Sequence, residues 1–289
     1  MQEYVTDLGP VVATGKTKDL FASKGDPYGC YARNKDVVTW GNTHALPMIG
    51  KGKWSTRVNH NLMTHVFQRS GLPVAYRGLA DKRTFRAELC DMFPFEVAVY
   101  GIVDAKSSFH KRNPNTPPEM LLQEPIVQIH LKTTGKIYQD WALPCDDPLM
   151  IVQGNEVRIY DPNKPVEEQE PIFVVPLEDA PQIFFGLEFF DEISSVAKRA
   201  YTGARFAYAL VGGKLYDGKW EFGMPRRPTL ARRPLMADVF DADSMRLLVY
   251  GKRADKQPIR DGGEAAAEAQ VEAYQLAVKT SERLTSRDV

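Results

Sequence analysis

The chain has 289 residues, and its 37 Lys+Arg are balanced by 37 Asp+Glu, so the formal net charge is zero. At 43% hydrophobic and 26% charged it has the composition of a packed globule and not of a disordered chain; the length allows one large domain or two closely joined ones. The charge balance argues against a sequence-blind nucleic-acid binder, no run approaches the roughly 20 apolar residues of a membrane span, and the opening MQEYVTDLG is not a secretory signal.

In chain order, the first 50 residues read as strands and tight turns. Residues 11–14 lead into Gly15, Lys16, Thr17 and Lys18, then an apolar Leu20 and Phe21, then a turn at 24–27. From Ser55 a helical period takes over: Val58, Leu62 and Val66 recur every four residues, and Gly71 with Pro73 stops the helix. Residues 77–88 and 93–103 read as strands either side of a turn at Cys90, Asp91 and Met92. In the second, Phe95, Val97, Val99 and Gly101 alternate with Glu96, Ala98 and Tyr100, so one face is apolar. A loop at 111–120, a short strand at 126–131 and a Pro- and acid-rich insertion at 149–181 follow. Phe190, Ile193, Ala197, Ala200 and Ala204 mark a second helix, interrupted at Gly212 and Gly213. Residues 215–222 and 235–240 read as a strand pair joined by the basic loop PRRPTLARR, and 264–283 as a terminal amphipathic helix. Antiparallel strands first and helices later predict an α+β fold.

Cys30, Cys90 and Cys145 stand far apart, and the five histidines include no H-x-x-x-H pair. Neither a disulfide framework nor a zinc site is expected, and a reducing cytoplasm is the expected compartment.

Three constellations could carry chemistry. Gly15 lets backbone approach an anion, while Lys16 and Lys18 project to one side of a strand; this suits a polyphosphate, although such a turn is more often a solvated surface. Asp217, Lys219 and Glu221 fall at i, i+2 and i+4, sharing one strand face, and Asp238 on the next strand would complete a two-carboxylate Mg²⁺ site. A salt-bridged exposed face explains the same spacing equally well. Asp243, Ser244 and Arg246 suit a bound phosphate or carboxylate, or a simple helix cap after Asp241.

Taken in order, these pieces resemble the SAICAR synthetase family of ATP-dependent ligases. The resemblance runs through GKTKDLF at 15–21, KGK at 51–53, SGLPV at 70–74, DMFPFEVAVYG at 91–101, SSFHKR at 107–112, HLKTTG at 130–135, CDDP at 145–148, LYDGKWEFGM at 215–224, ADVFDADSMRL at 237–247 and ADKQPIRD at 254–261. It implies an α+β fold of two antiparallel-sheet lobes, 1–90 and 91–289, with ATP in the cleft between them and helices packed on the sheets. It implies a carbon–nitrogen ligase of purine biosynthesis that uses ATP and Mg²⁺ to join L-aspartate to the carboxylate of carboxyaminoimidazole ribonucleotide (CAIR). A homo-oligomer is expected, with no nucleic acid or membrane partner.

By this resemblance Gly15, Lys16 and Lys18 bind ATP phosphates, Asp91 and Met92 lie against adenine with Glu96 in the same site, and Asp217 lies on the nucleotide side. Glu221 and Asp238 hold the metal, with Lys219 and Arg246 completing the catalytic set. Ser108, Lys132, Asp147, Asp243, Ser244 and Arg246 bind the acceptor and aspartate. The chain departs from the family pattern at Asn42, Ser107, Asp146 and Val239, and most notably at Tyr100, where the family has an arginine. Arg33, Lys106 and Lys111 are candidate replacements for that cation. A ligase acting on another carboxylate or amine, and a nucleotide binder without catalysis, are the competing readings.

Overall fold

A computed structural model describes residues 7–41, 43–229 and 233–285. Asn42, the first six residues and part of the basic loop at 225–233 lie outside the described residues.

The chain opens with strands β1 (Leu8–Thr14), β2 (Lys18–Ser23) and β3 (Gly29–Asn34), then a ribbon of β4 (Val37–Trp40) and β5 (His44–Pro47). Helix α1 (Lys51–Leu62) continues as a π-helical stretch over Met63–Gln68. Strands β6 (Tyr76–Leu79) and β7 (Thr84–Glu88) complete an antiparallel five-stranded sheet of order β1-β2-β3-β7-β6. The second sheet is built from β8 (Cys90–Ile102) onward. After it come α2 (Ser108–Arg112), β9 (Leu121–Leu131), a small ribbon of β10 (Ile137–Tyr138) and β11 (Trp141–Ala142), then β12 (Leu149–Gln153), β13 (Glu156–Tyr160) and β14 (Phe173–Pro176). The remainder is α3 (Ala180–Ile183), α4 (Phe190–Leu210), β15 (Gly213–Pro225), β16 (Leu235–Met236), β17 (Met245–Val249), β18 (Lys252–Arg253), α5 (Gln257–Gly262) and α6 (Ala267–Thr285). This sheet has nine strands, ordered β14-β13-β12-β9-β8-β15-β17-β18 with β16 on β15. The α+β expectation is met.

Three local differences from the sequence reading have physical causes. Helix α1 starts four residues earlier than its apolar period, because Gly50 turns the chain at φ 93° and Asp36 Oδ1 accepts the Gly52 N–H at 2.9 Å, a cap supplied from outside the helix. The expected turn at Cys90, Asp91 and Met92 is strand, pairing with Pro225, Met224 and Gly223 of β15. The expected strand at 235–240 ends at Met236. There the Asp238 carboxylate accepts the Val239 N–H at 2.6 Å and bends the chain out of the ladder. In the 149–181 segment, read as an insertion with short strands, β12, β13 and β14 extend the edge of the large sheet.

Long α4 lies across β15, β8 and β9. It covers the sheet's apolar face, where Phe95, Val97, Val99, Ile129, Leu131, Trp220 and Phe222 are buried. Gly101 is the close-approach point: a Cβ there would stand 2.3 Å from Tyr201 Oη, whose O–H donates to the Leu215 carbonyl at 3.0 Å. The expected alternation along β8 holds at its start. Further on, Ala98 and Tyr100 of the opposite face are also buried, covered by Val103 and Phe109.

Candidate active site

Strand register assembles the site. On the face turned away from α4, Glu221 stands opposite Glu96, Lys219 opposite Ala98 and Asp217 opposite Tyr100. On the far side of β8, His130 and Gln128 stand opposite Glu96 and Ala98, and across β15 Arg246 stands opposite Asp217. Because side chains alternate along a strand, all of these point to one side of the sheet.

The charged groups form two clusters. In the first, Lys219 Nζ meets Glu96 at 2.6 Å, Lys132 Nζ meets Glu221 at 2.6 Å, and Lys18, arriving from β2 of the other sheet, pairs with Asp238. Asp238 is brought beside Glu221 by the backbone, since the Ala237 N–H donates to the Glu221 carbonyl at 3.0 Å. Asp147 borders the group through its electrostatic coupling to Glu96 and Lys219, and its carboxylate accepts the Thr133 N–H at 3.0 Å. Burial raises the Asp147 pKa. Burial also opposes charge on Glu221, but Lys132, Lys219 and Lys18 outweigh it and hold that carboxyl below its usual range. Lys219 is burdened by burial yet raised by Glu96 and Glu221. Lys18 is the exception: burial pulls it down to about 8, against the charge of Glu221.

In the second cluster Arg246 Nη1 donates to both Asp217 oxygens, at 3.1 and 2.9 Å, and the Tyr100 and Ser108 hydroxyls are 2.9 Å apart. The sequence reading put Asp217 with the nucleotide; the fold puts it with Arg246 and the Tyr100–Ser108 pair. The candidate replacements for the missing arginine are also relocated. Arg33 packs over the Phe21 ring and bonds Thr84, Lys111 is exposed, and the Lys106 ammonium pairs with Asp261 at 3.6 Å. The cations acting on Tyr100 are Arg112 and Arg246.

A third set lies just behind. Asp243 accepts from Tyr274 at 2.5 Å and pairs with Lys51 at 3.0 Å and Lys256 at 3.6 Å, so it ties α1 and α6 to the turn that leads into β17, the strand carrying Arg246. Burial opposes its charge, but Lys256 and Lys51 hold its carboxyl well below the usual range. Ser244 spends its hydroxyl on the Val239 carbonyl at 3.0 Å. Gly15 and Lys16 sit exposed on the turn before β2, and Asp91 and Met92 at the outer end of β8, where Asp91 pairs with Arg226 at 2.7 Å.

Sequence reasoning missed His130 and Arg112 as site-facing groups. His130 Nδ1 lies 3.2 Å from the Asp147 carbonyl, which only accepts, so Nδ1 carries the proton and Nε2 is a buried lone pair with no partner among the described residues. Burial and Arg112 lower its pKa to about 4. The only sequence signal was its alternation with Gln128 on a strand whose register was unknown.

The donor set suits Mg²⁺ bound with a phosphate chain. Among the described residues no cluster of three or more His, Cys, Asp or Glu is present. Mg²⁺ takes only one or two carboxylates and fills its sphere with water and phosphate oxygens, and Glu221 with Asp238 provides that pair.

Comparison with known proteins finds similar sequences and similar folds. The sequence profile of SAICAR synthetase matches residues 11–147. A phosphoribosylaminoimidazole-succinocarboxamide synthase of Herpetosiphon aurantiacus is 27% identical over 257 residues, covering 88% of each chain. The crystal structure of the Ehrlichia chaffeensis synthase of that name superposes with a TM-score of 0.70 at 19% identity, over 94% of this chain and 98% of the other. A SAICAR synthetase solved in complex with ADP gives 0.68 at 23% identity, over 95% and 97%. The two superpositions establish the fold. The ordered motifs, the profile match over residues 11–147 and the near full-length relative at 27% identity support membership of the SAICAR synthetase family.

Proposed function

We propose that this chain is an ATP-dependent ligase that joins L-aspartate to the carboxylate of CAIR through an acyl phosphate, giving SAICAR. The observation that carries the reading is the set of interleaved pairs Lys18–Asp238, Lys132–Glu221 and Lys219–Glu96, drawn from both sheets onto one polar face. Without ligand, each lysine neutralises a carboxylate. With ATP, Lys18 and Lys219 would turn to phosphate oxygens and Glu221 and Asp238 to the metal, so the same groups serve both states.

A carboxylate does not acylate an amine at neutral pH, so the γ-phosphoryl group must first be transferred to it. The work left to the protein is alignment and charge neutralisation. Gly15, Lys16 and Lys18 receive the phosphate chain, Asp91 and Met92 border adenine, and Lys219, oriented by Glu96, neutralises charge developing on the transferred group. Glu221 and Asp238 would hold Mg²⁺, which would supply Lewis-acid charge neutralisation. Arg246, aligned by Asp217, and Ser108, aligned by Tyr100, hold the acceptor. Lys132 and Asp147 line its aspartate end, while Asp243 and Ser244 brace the turn before the Arg246 strand. Residues 1–90 and 91–289 act as two lobes about the cleft. A reducing, cytoplasmic setting suits the three free thiols, each with its pKa raised by burial, and we expect a homo-oligomer.

The test is ADP release with ATP, Mg²⁺, CAIR and L-aspartate, omitting each in turn, for the wild type and for Glu221→Gln and Asp238→Asn. Release that needs every component and disappears in both variants supports the reading. The second reading, a different acceptor, is favoured by Tyr100: ATP binding without CAIR-dependent turnover selects it. Nucleotide binding with no acceptor among carboxylated nucleotides would leave a binder without catalysis.

A further inference from the structure

The carboxylates gathered on the polar face are tied to cations, with one exception. Glu96, Glu221 and Asp238 are held by lysines and Asp217 by Arg246. Asp147 has no lysine or arginine within ion-pair distance among the described residues, and its carboxylate is bonded to Thr133 alone. Oδ1 accepts the Thr133 N–H at 3.0 Å and the Thr133 hydroxyl at 3.3 Å, while the Asp147 N–H donates to that hydroxyl at 3.0 Å. Oδ2 has no partner among the described residues and is not sealed from solvent. The backbone is held at φ 43°, in the left-handed region that few residues with a side chain adopt, and such strain gathers at functional sites. The anchors come from the site itself: Thr133 follows Lys132, the partner of Glu221, and His130, opposite Glu96 in register, has Nδ1 3.2 Å from the Asp147 carbonyl.

The geometry points to Asp147 as the general base that takes the proton from the attacking amine, a role beyond lining the aspartate end and one that rests on the ligase reading. As the amine nitrogen bonds to the carbonyl carbon of the acyl phosphate, the C–O bond breaks and phosphate leaves with its electron pair. The nitrogen, made acidic by the new bond, gives one proton to Oδ2, and Asp147 returns it to water. A carboxylate bound to a cation is a poor base because the cation favours its ionised form. Asp147 differs from its neighbours in that respect: burial and Glu96 from β8 make it more basic, against Lys219 from β15 and the Thr133 bonds. Its Oδ2 lone pairs are also unspent.

The experiment compares two nucleophiles in ADP release with ATP, Mg²⁺ and CAIR. L-Aspartate requires the base; hydroxylamine, largely unprotonated near neutral pH, traps an acyl phosphate as a hydroxamate without one. Asp147→Asn keeps an oxygen for Thr133 and tolerates a positive φ, and Asp147→Gly is at ease at φ 43°. In both variants kcat with aspartate is expected to fall by about 100-fold or more, with hydroxamate formation within about threefold of wild type and the ATP KM unchanged. Parallel loss with both nucleophiles makes Asp147 structural and overturns the role, as does undiminished aspartate turnover. A wild type that releases no CAIR-dependent ADP with either nucleophile overturns the ligase reading and this role together.

Discussion

Replacing Lys18 by Met should stabilise the ligand-free protein while damaging nucleotide binding. Burial lowers the Lys18 pKa from 10.5 to about 8. At pH 7 the ammonium is therefore charged in both folded and unfolded chains but held at a disadvantage in the fold, by roughly 3 kcal/mol at about 1.4 kcal/mol per pH unit. A neutral side chain of similar length removes that cost. It also removes the partner of the part-exposed Asp238, a pair for which about 1 kcal/mol is a fair upper value. The net expectation is a gain of about 2 kcal/mol, or a Tm rise of roughly 5 °C for a chain of this size. Between pH 8 and 10.5 the unfolded lysine binds more protons than the folded one, so wild-type stability attributable to this group rises with pH and the variant's advantage fades over that window. Nucleotide binding moves the other way, because a charge-assisted bond to phosphate contributes about 1.5–3 kcal/mol, a weakening of ATP of order 10- to 100-fold. Urea unfolding at pH 7 and 10, with calorimetric titration of ATP–Mg²⁺, measures both quantities. A Tm that falls together with unchanged ATP affinity would refute the placement of Lys18 as a desolvated phosphate ligand.

Three further outcomes are expected. Tyr100→Arg, which restores the residue type of the family pattern, should destabilise the free protein by about 3 kcal/mol or more, because it buries a further guanidinium beside Arg112 and Arg246; unchanged urea unfolding would show that the pocket accommodates the charge. Gly101→Ala should cost several kcal/mol or abolish soluble expression, since its methyl would overlap the Tyr201 ring, and a Tm within about 2 °C of wild type would contradict that packing. Tyr274→Phe removes the 2.5 Å bond to Asp243 and should cost about 1–3 kcal/mol, with a larger effect on acceptor KM than on ATP KM because Asp243 braces the turn before the Arg246 strand; equal changes in both would make Tyr274 purely structural.

Much of the site was legible in the sequence because strand periodicity is local. The spacing of Asp217, Lys219 and Glu221 requires one shared face wherever β15 lies, and Gly71 at φ 66° closes the helical segment as Gly71 followed by Pro73 suggested. The ends of elements were less legible. Asp36 caps α1 from the bend between β3 and β4, and Asp238 leaves its ladder through a bond to its neighbour's N–H, choices that no apolar period records.

The sequence by itself determined the class of chemistry: alternating strands with lysines and carboxylates at fixed offsets, in an order that matches one family. The tertiary structure decided which charge meets which. Lys18 pairs with Asp238 across more than two hundred residues of chain, and Asp217 belongs with Arg246 because β15 pairs with β17 in that register. It also decided that the cations beside Tyr100 are Arg112 and Arg246, and that Arg112 is buried among neutral acceptors. The reason is one of range. Periodicity reports the face a residue takes within its own strand, while pairing, burial and the resulting pKa shifts depend on neighbours that only the register of distant strands brings into contact.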